Sequence, residues 1–297
     1  MHSVLTIVGD PTTRLVSGQV VSAARSALAS AKAETGHVEW LAPSLACDIY
    51  FEHARPTTVM EAVREALAGQ PFDIAAQATA DRRKKLLLAD MDSTIVTGET
   101  LDELADKCGI KDEVAAITLR TMKGELPFEE SLRLRVAKLQ GLSIELMVEV
   151  VQALDLSPGA RSLVRTMRAH GAYTALVSGG FTFATEPIAE LCGFHEQRAN
   201  VLLHMDGRLS GEVQEPILGM QAKLEFLREL CQRIDLHPRQ VCAVGDGAND
   251  LAMLEHAGLG IAYRGKPKVR EQSRFRVDHS DLTALLYFQG YKEPEFN

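Results

Sequence analysis

The stretch "LLLADMDSTIVTGET", residues 86 to 100, begins apolar and ends polar. The run "KLLLAD", residues 85–90, reads as a buried strand. It ends in Asp90, and Asp92 lies beyond, two like charges one residue apart. Carboxylates placed side by side at the end of a buried strand repel unless something positive lies between them. Residues two apart on a strand point the same way, so both side chains are expected to face one crevice.

Working outward, the same design recurs. After residue 97 come about 60 residues with helical patterns only, and beyond them strands and helices alternate. Apolar strands that alternate with helices imply a mostly parallel sheet covered on both faces. The strand "AYTALVSGG" ends in Ser178, Gly179 and Gly180, and "QVCAVGDG" ends in Asp246 and leads to Asn249 and Asp250. In open α/β sheets ligands bind beyond the carboxyl ends of the strands, so these ends are expected to converge. Clustered carboxylates are tolerated where a hard divalent cation neutralises them, and all-oxygen ligands suggest magnesium. A cation beside a hydroxyl, Gly amides and a lysine makes a place for a phosphate. The segment "NVLLHMDGRLSGEVQE" reads as a hairpin turning at Asp206-Gly207.

Residues 1 to 80 read as a unit of their own. Strand and helix signals follow the order β-α-β-β-α-β, the split arrangement of a ferredoxin-like sandwich, and in topology and length it resembles the ACT family of amino-acid-binding domains. "DRRKK" at 81–85 reads as a solvated linker.

Composition narrows the classes of function. A net charge of −8 without a long basic run argues against a nucleic-acid partner. Five scattered cysteines, odd in number and without C-x-x-C spacing, argue against a disulfide framework or a structural zinc site. The N-terminus has no signal-peptide pattern, and no apolar run has transmembrane length. A cytoplasmic protein with no membrane partner is the expectation.

Taken one at a time these features are weak. "GDG" alone reads as a turn, Lys223 as a solvated charge, and Arg133, Arg135 and Lys138 as the wet face of an amphipathic helix. Together, "DMDST", "VSGG", Lys223 and "GDGANDLAML" resemble in order and spacing the four motifs of the haloacid dehalogenase (HAD) superfamily. Within it, "VTGETLDELA" and "KGELPFEESLRLRVAKL" resemble the substrate-selecting cap of the phosphoserine phosphatase family. The resemblance implies a HAD-type Rossmann-like domain over 84–297 with a helical cap inserted at about 97–156.

It also implies roles, residue by residue. Asp90 would be the nucleophile that forms an aspartyl-phosphate, and Asp92 the acid and then the base. Magnesium would sit between Asp90, the main-chain carbonyl of Asp92 and Asp246, with Asp250 steadying the site. Ser178, the Gly179 amide and Lys223 would hold the phosphoryl oxygens, with Asn249 approaching the phosphate side. Glu99 would meet the substrate ammonium and Arg135 its carboxylate, with Met122 and Phe128 packed around a small substrate.

The activity so implied is hydrolysis of phosphoserine to serine and phosphate, the last step of serine biosynthesis. Two other readings stand beside it. One is phosphotransfer to another hydroxyl acceptor such as homoserine, and the other an amino-acid sensor with a vestigial site. Residues 1–80 are expected to be dispensable for chemistry. They would bind an amino acid, pair subunits as a homodimer, or act as a plain packing partner.

Overall fold

The computed structural model describes residues 2–122 and 125–297. The first unit runs β1 (Ser3–Val8), α1 (Gly18–Ser30), β2 (Glu34–Ala42), β3 (Ala46–Glu52), α2 (Pro56–Ala66) and β4 (Asp73–Ala78). Its strands form a four-stranded sheet in the order β2-β3-β1-β4, antiparallel throughout. That order and connectivity are those of a ferredoxin-like sandwich. Helix α2 starts where Pro56 fixes the first-turn dihedral and buries Val59, Met60 and Val63 on one face.

The second unit begins with β5 (Leu86–Ala89), a strand with no exposed residue. Successive side chains leave a strand on opposite faces, and here the faces feed separate cores. Leu87 and Ala89 join one apolar cluster, and Leu86 and Leu88 the other. This is why the run is apolar without alternation.

Four helices follow, α3 (Thr100–Lys107), α4 (Lys111–Met122), α5 (Phe128–Ala137) and α6 (Glu145–Ala153). The chain then returns through α7 (Ala160–Ala169), β6 (Tyr173–Phe181), α8 (Thr182–Cys192) and β7 (Glu196–Asn200). The expected hairpin is β8 (Leu202–Met205) with β9 (Arg208–Val213), and Gly207 takes a positive φ at its turn. Next come α9 (Ala222–Arg233), β10 (Val241–Gly245), α10 (Leu251–His256), β11 (Leu259–Tyr263), α11 (Pro267–Gln272), β12 (Phe275–Val277) and α12 (Ala284–Phe288).

Six strands make a parallel sheet in the order β12-β11-β10-β5-β6-β7. The chain winds outward from β5 through β6 and β7, then returns to β10 on the other side of β5. The order therefore reverses beside β5, which sets a crevice at the carboxyl ends of β10, β5 and β6. Helices α3, α5 and α6 and the hairpin share a third apolar cluster, built on Leu104, Leu132, Val136, Leu139, Leu202 and Leu209. Among the described residues no helix is long and apolar enough to cross a membrane.

The linker corrects one expectation. "DRRKK" is not solvated throughout, because Arg82 and Lys84 are buried or nearly so. The Arg82 guanidinium donates to both carboxylate oxygens of Asp48 at 2.6 and 2.7 Å. It also donates to Thr6 Oγ1 and to the carbonyls of Tyr287 and Phe288. Lys84 Nζ is spent on the carbonyls of Asp81 and Arg239. Charge run and solvation separate here because a guanidinium with many donors can be satisfied inside a polar nest.

The two units therefore meet across a continuous seam. One apolar cluster runs from Leu5 in β1 to Leu286 in α12, and Gln77 Nε2 donates to the Phe288 carbonyl at 2.7 Å. Burial raises the pKa of Asp48, while Arg82 and Thr6 pull it back down. Removing one member of a buried pair leaves the other charge unpaired, at a cost of about 3–5 kcal/mol. Arg82→Ala is expected to lower unfolding stability by about that amount in urea titration. A loss within about 1 kcal/mol would class the pair with exposed ones.

Candidate active site

The active edge is assembled by three neighbouring strand ends. Asp90 follows the last residue of β5 and stays extended, with φ −69° and ψ 159°. Asp92 is also extended, at φ −65° and ψ 135°, and Ser93 then turns sharply at φ 55°. Strand pairing stops at Ala89, so the two aspartates face one cavity as an extended tail rather than as strand residues. Met91 between them points into the core.

The carboxyl end of β6 supplies Ser178, Gly179 and Gly180. The Ser178 hydroxyl donates to Asp92 Oδ2 at 3.1 Å and accepts the Gly180 amide at 2.8 Å. The carboxyl end of β10 supplies Asp246, and the turn beyond it Asn249 and Asp250. Gly245 has to be glycine, because a Cβ there would meet Asp250 Cγ at 2.3 Å.

Lys223, in the first turn of α9, is buried and lies 2.6 Å from both Asp90 Oδ1 and Asp250 Oδ1. Burial alone would lower its pKa, but the two carboxylates outweigh that and raise it. Asp250 Oδ2 also accepts the Gly247 amide at 2.9 Å. Burial first, then the charge of Asp250, raises the pKa of Asp90 well above the usual carboxylate range. Asp246 is pushed up to about 6, chiefly by burial, with Lys266 opposing.

Asp92 sits apart from that cluster. Its Oδ1 accepts the Thr100 amide at 2.8 Å and the Thr100 hydroxyl. Burial and then the nearby Glu99 raise its pKa, and the hydrogen bonds from Thr100 and Ser178 counter them. A carboxyl held up in this way is suited to giving and taking a proton.

Asp90, Asp246 and Asp250 each offer an oxygen within 4.8 Å of the others. The donors are hard oxygens, and the lysines present do not match the carboxylates in number. The set fits a hard divalent cation. The Asp92 side chain lies outside this group.

A compact cavity of about 120 Å³ opens above these groups, roofed by Phe128, Leu132 and Arg135 of α5. Glu99, Asn249 and Gly179 also line it. Arg135 is half-buried, and its Nε donates to the Ser131 carbonyl at 3.4 Å. Among the described residues no carboxylate lies within 4.0 Å of it. Glu99 accepts from Ser93 Oγ at 3.0 Å. Phe128 touches the position where a Gly179 side chain would begin. The Met122 side chain lies outside the described residues.

The sequence reading missed Lys266. Its Nζ reaches Asp246 Oδ2 at 3.2 Å and Glu99 Oε1 at 3.4 Å, linking two sides of the cavity. The available signal was Pro267 opening a helix, which marks the turn after β11 as one that approaches the sheet edge.

Carboxylates, a hydroxyl and a buried lysine at the end of a parallel sheet suit a hydrolase that acts on a phosphate ester. The family of haloacid dehalogenase-like hydrolases matches residues 87–255, and the chain belongs to it. A phosphoserine phosphatase of Polaromonas sp. is 46% identical over 208 residues, covering 68% of this chain and 88% of that relative. A phosphoserine phosphatase of Mycobacterium tuberculosis is 40% identical over 79% of this chain, which spans 58% of that relative's length. The crystal structure of a probable phosphoserine phosphatase from Vibrio cholerae superposes with a TM-score of 0.79 at 30% identity. It is matched over 99% of this chain and 88% of its own.

Proposed function

We propose that this chain is a magnesium-dependent phosphoserine phosphatase that works through an aspartyl-phosphate on Asp90. One observation carries the substrate assignment. Arg135 roofs the cavity, half-buried and without a carboxylate within 4.0 Å among the described residues, while Glu99 lines the same cavity. A phosphoserine brings the complementary pair, a carboxylate for Arg135 and an ammonium for Glu99. The names of the relatives point the same way.

In this reading Asp90 attacks phosphorus while Ser178 and the Gly179 amide hold the phosphoryl oxygens and Asn249 borders them. Lys223 keeps Asp90 Oδ1 fixed, so the other oxygen is the one free to attack. Asp92, its carboxyl raised toward the protonated form by burial, gives its proton to the departing seryl oxygen. It then takes a proton from the water that cleaves the aspartyl-phosphate. Asp90, Asp246 and the Asp92 main-chain carbonyl would hold magnesium, with Asp250 behind them. Bound there, the ion would offset repulsion between Asp90 and the incoming phosphate. Phe128 and Leu132 exclude water from the reacting groups. Serine and phosphate would be the products, which fits the end of a serine-forming sequence in the cytoplasm.

Residues 1–80 stay outside the chemistry in this proposal. The cavity lining begins at Asp90.

Two outcomes test the reading. Arg135→Ala is expected to raise KM for phosphoserine by roughly ten- to a hundredfold, the cost of a lost charge-assisted contact. Turnover of p-nitrophenyl phosphate, which has no carboxylate, should change far less. Equal losses on both substrates would remove Arg135 from the carboxylate. The second outcome concerns the metal. Chelation should abolish phosphate release and added magnesium should restore it, whereas full activity in thoroughly demetallated protein would contradict the metal assignment.

A further inference from the structure

We infer that the seam between the two units carries a second binding site, for a small oxyanion held between Arg64 and Arg276. The inference is independent of the reaction at Asp90.

A cavity of about 140 Å³ opens where the end of α2 and the start of β4 meet β12 and the residues after it. Arg64 and Phe72 line it from the first unit, and Arg276, Asp278 and His279 from the second. Its walls are fixed. The Asp73 carboxylate is buried and spent on main-chain amides, accepting from Asp278, His279 and Ser280 at 2.7–3.3 Å. Arg274 donates to the Ala76 carbonyl at 3.2 Å, and Arg64 to the Arg274 carbonyl at 2.9 Å.

The charges do not balance locally. Asp278 is shared by Arg270 at 3.0 Å and Arg276 at 3.4 Å. Arg64 has no carboxylate within 4.0 Å among the described residues, and its one hydrogen bond there goes to a carbonyl. Glu61, one turn back on α2, is exposed and acts on Arg64 through water. Burial, and then the positive charge of Arg276, works against the ionised form of Arg64, and Asp278 and Glu61 offset this only in part. Like charges held together at the rim of a half-buried cavity are stabilised by an anion between them. A planar guanidinium offers paired N–H groups that match a carboxylate or a phosphate. Because the arginines come from different units, such a ligand would tie the seam together and stabilise the whole chain.

The test is calorimetric titration of the full chain with inorganic phosphate, and separately with acetate and with L-serine. The active cavity is expected to take one phosphate, so the seam predicts two equivalents in the parent. Arg64→Gln and Arg276→Gln should each leave one equivalent and unchanged phosphatase turnover, with seam affinity falling by roughly tenfold or more. Asp278→Asn should act in the opposite sense, tightening the second equivalent by freeing Arg270 and Arg276. That variant keeps the test decisive should the arginine variants fail to fold. An acetate or L-serine signal that vanishes in Arg276→Gln assigns the seam to carboxylates. A second phosphate equivalent, lost in Arg276→Gln and with no matching acetate or L-serine signal, assigns it to phosphate. A single phosphate equivalent in the parent, with no acetate or L-serine binding sensitive to Arg276→Gln, overturns the proposal.

Discussion

Lys223 stands 2.6 Å from Asp90 and 2.6 Å from Asp250, and the active edge is organised around that buried cation. Without it, Asp90 and Asp250 would meet in a water-poor crevice with no lysine between them to offset their repulsion. With it, Asp90 has one oxygen fixed and one free, and Asp250 anchors the turn through the Gly247 amide. Gly245 lets Asp250 come close enough to do this. The chemistry of this edge therefore depends on a lysine delivered by a helix remote in sequence from the aspartates.

A second buried cation plays the equivalent part at the seam. Arg82 gathers Asp48, Thr6 and the carbonyls of Tyr287 and Phe288 into one polar nest. Fold and site thus share a design in which a buried positive group gathers polar ends that would otherwise be unpaired. The difference lies in what remains open. At Arg82 every neighbour belongs to the chain, whereas the active edge keeps a cavity with Arg135 and Glu99 on its lining.

Much of this was legible in the sequence, and the reasons are physical. The aspartates after β5, the serine near the end of β6 and "GDGAND" at the end of β10 were readable because an apolar run that gives way to polar residues marks the sheet edge where ligands bind. The inserted helices and the Asp206-Gly207 hairpin followed from periodicity and turn chemistry. Strand β7 did not, because "EQRAN" is polar and lies at the sheet's edge. Its Glu196 and Arg198 pair with Arg233 and Glu229 of α9, so its outer face carries no apolar signal. The burial of Arg82 was hidden for the opposite reason, since a charge run carries no mark of the nest that will receive it. Lys266 was hidden because it reaches the cavity from a turn with no motif of its own. Asp92 was placed in the right cavity, but by an extended tail beyond the strand rather than by strand alternation.

The central claim is that Asp90 itself takes the phosphoryl group. Its direct test is to mix the protein with phosphoserine carrying labelled phosphate, quench in acid within a turnover, digest, and map the label. The account predicts acid-stable label on the peptide containing Asp90, and none after the substitution Asp90→Asn. Label on any other residue, or rapid product formation with no labelled protein at any quench time, would contradict it.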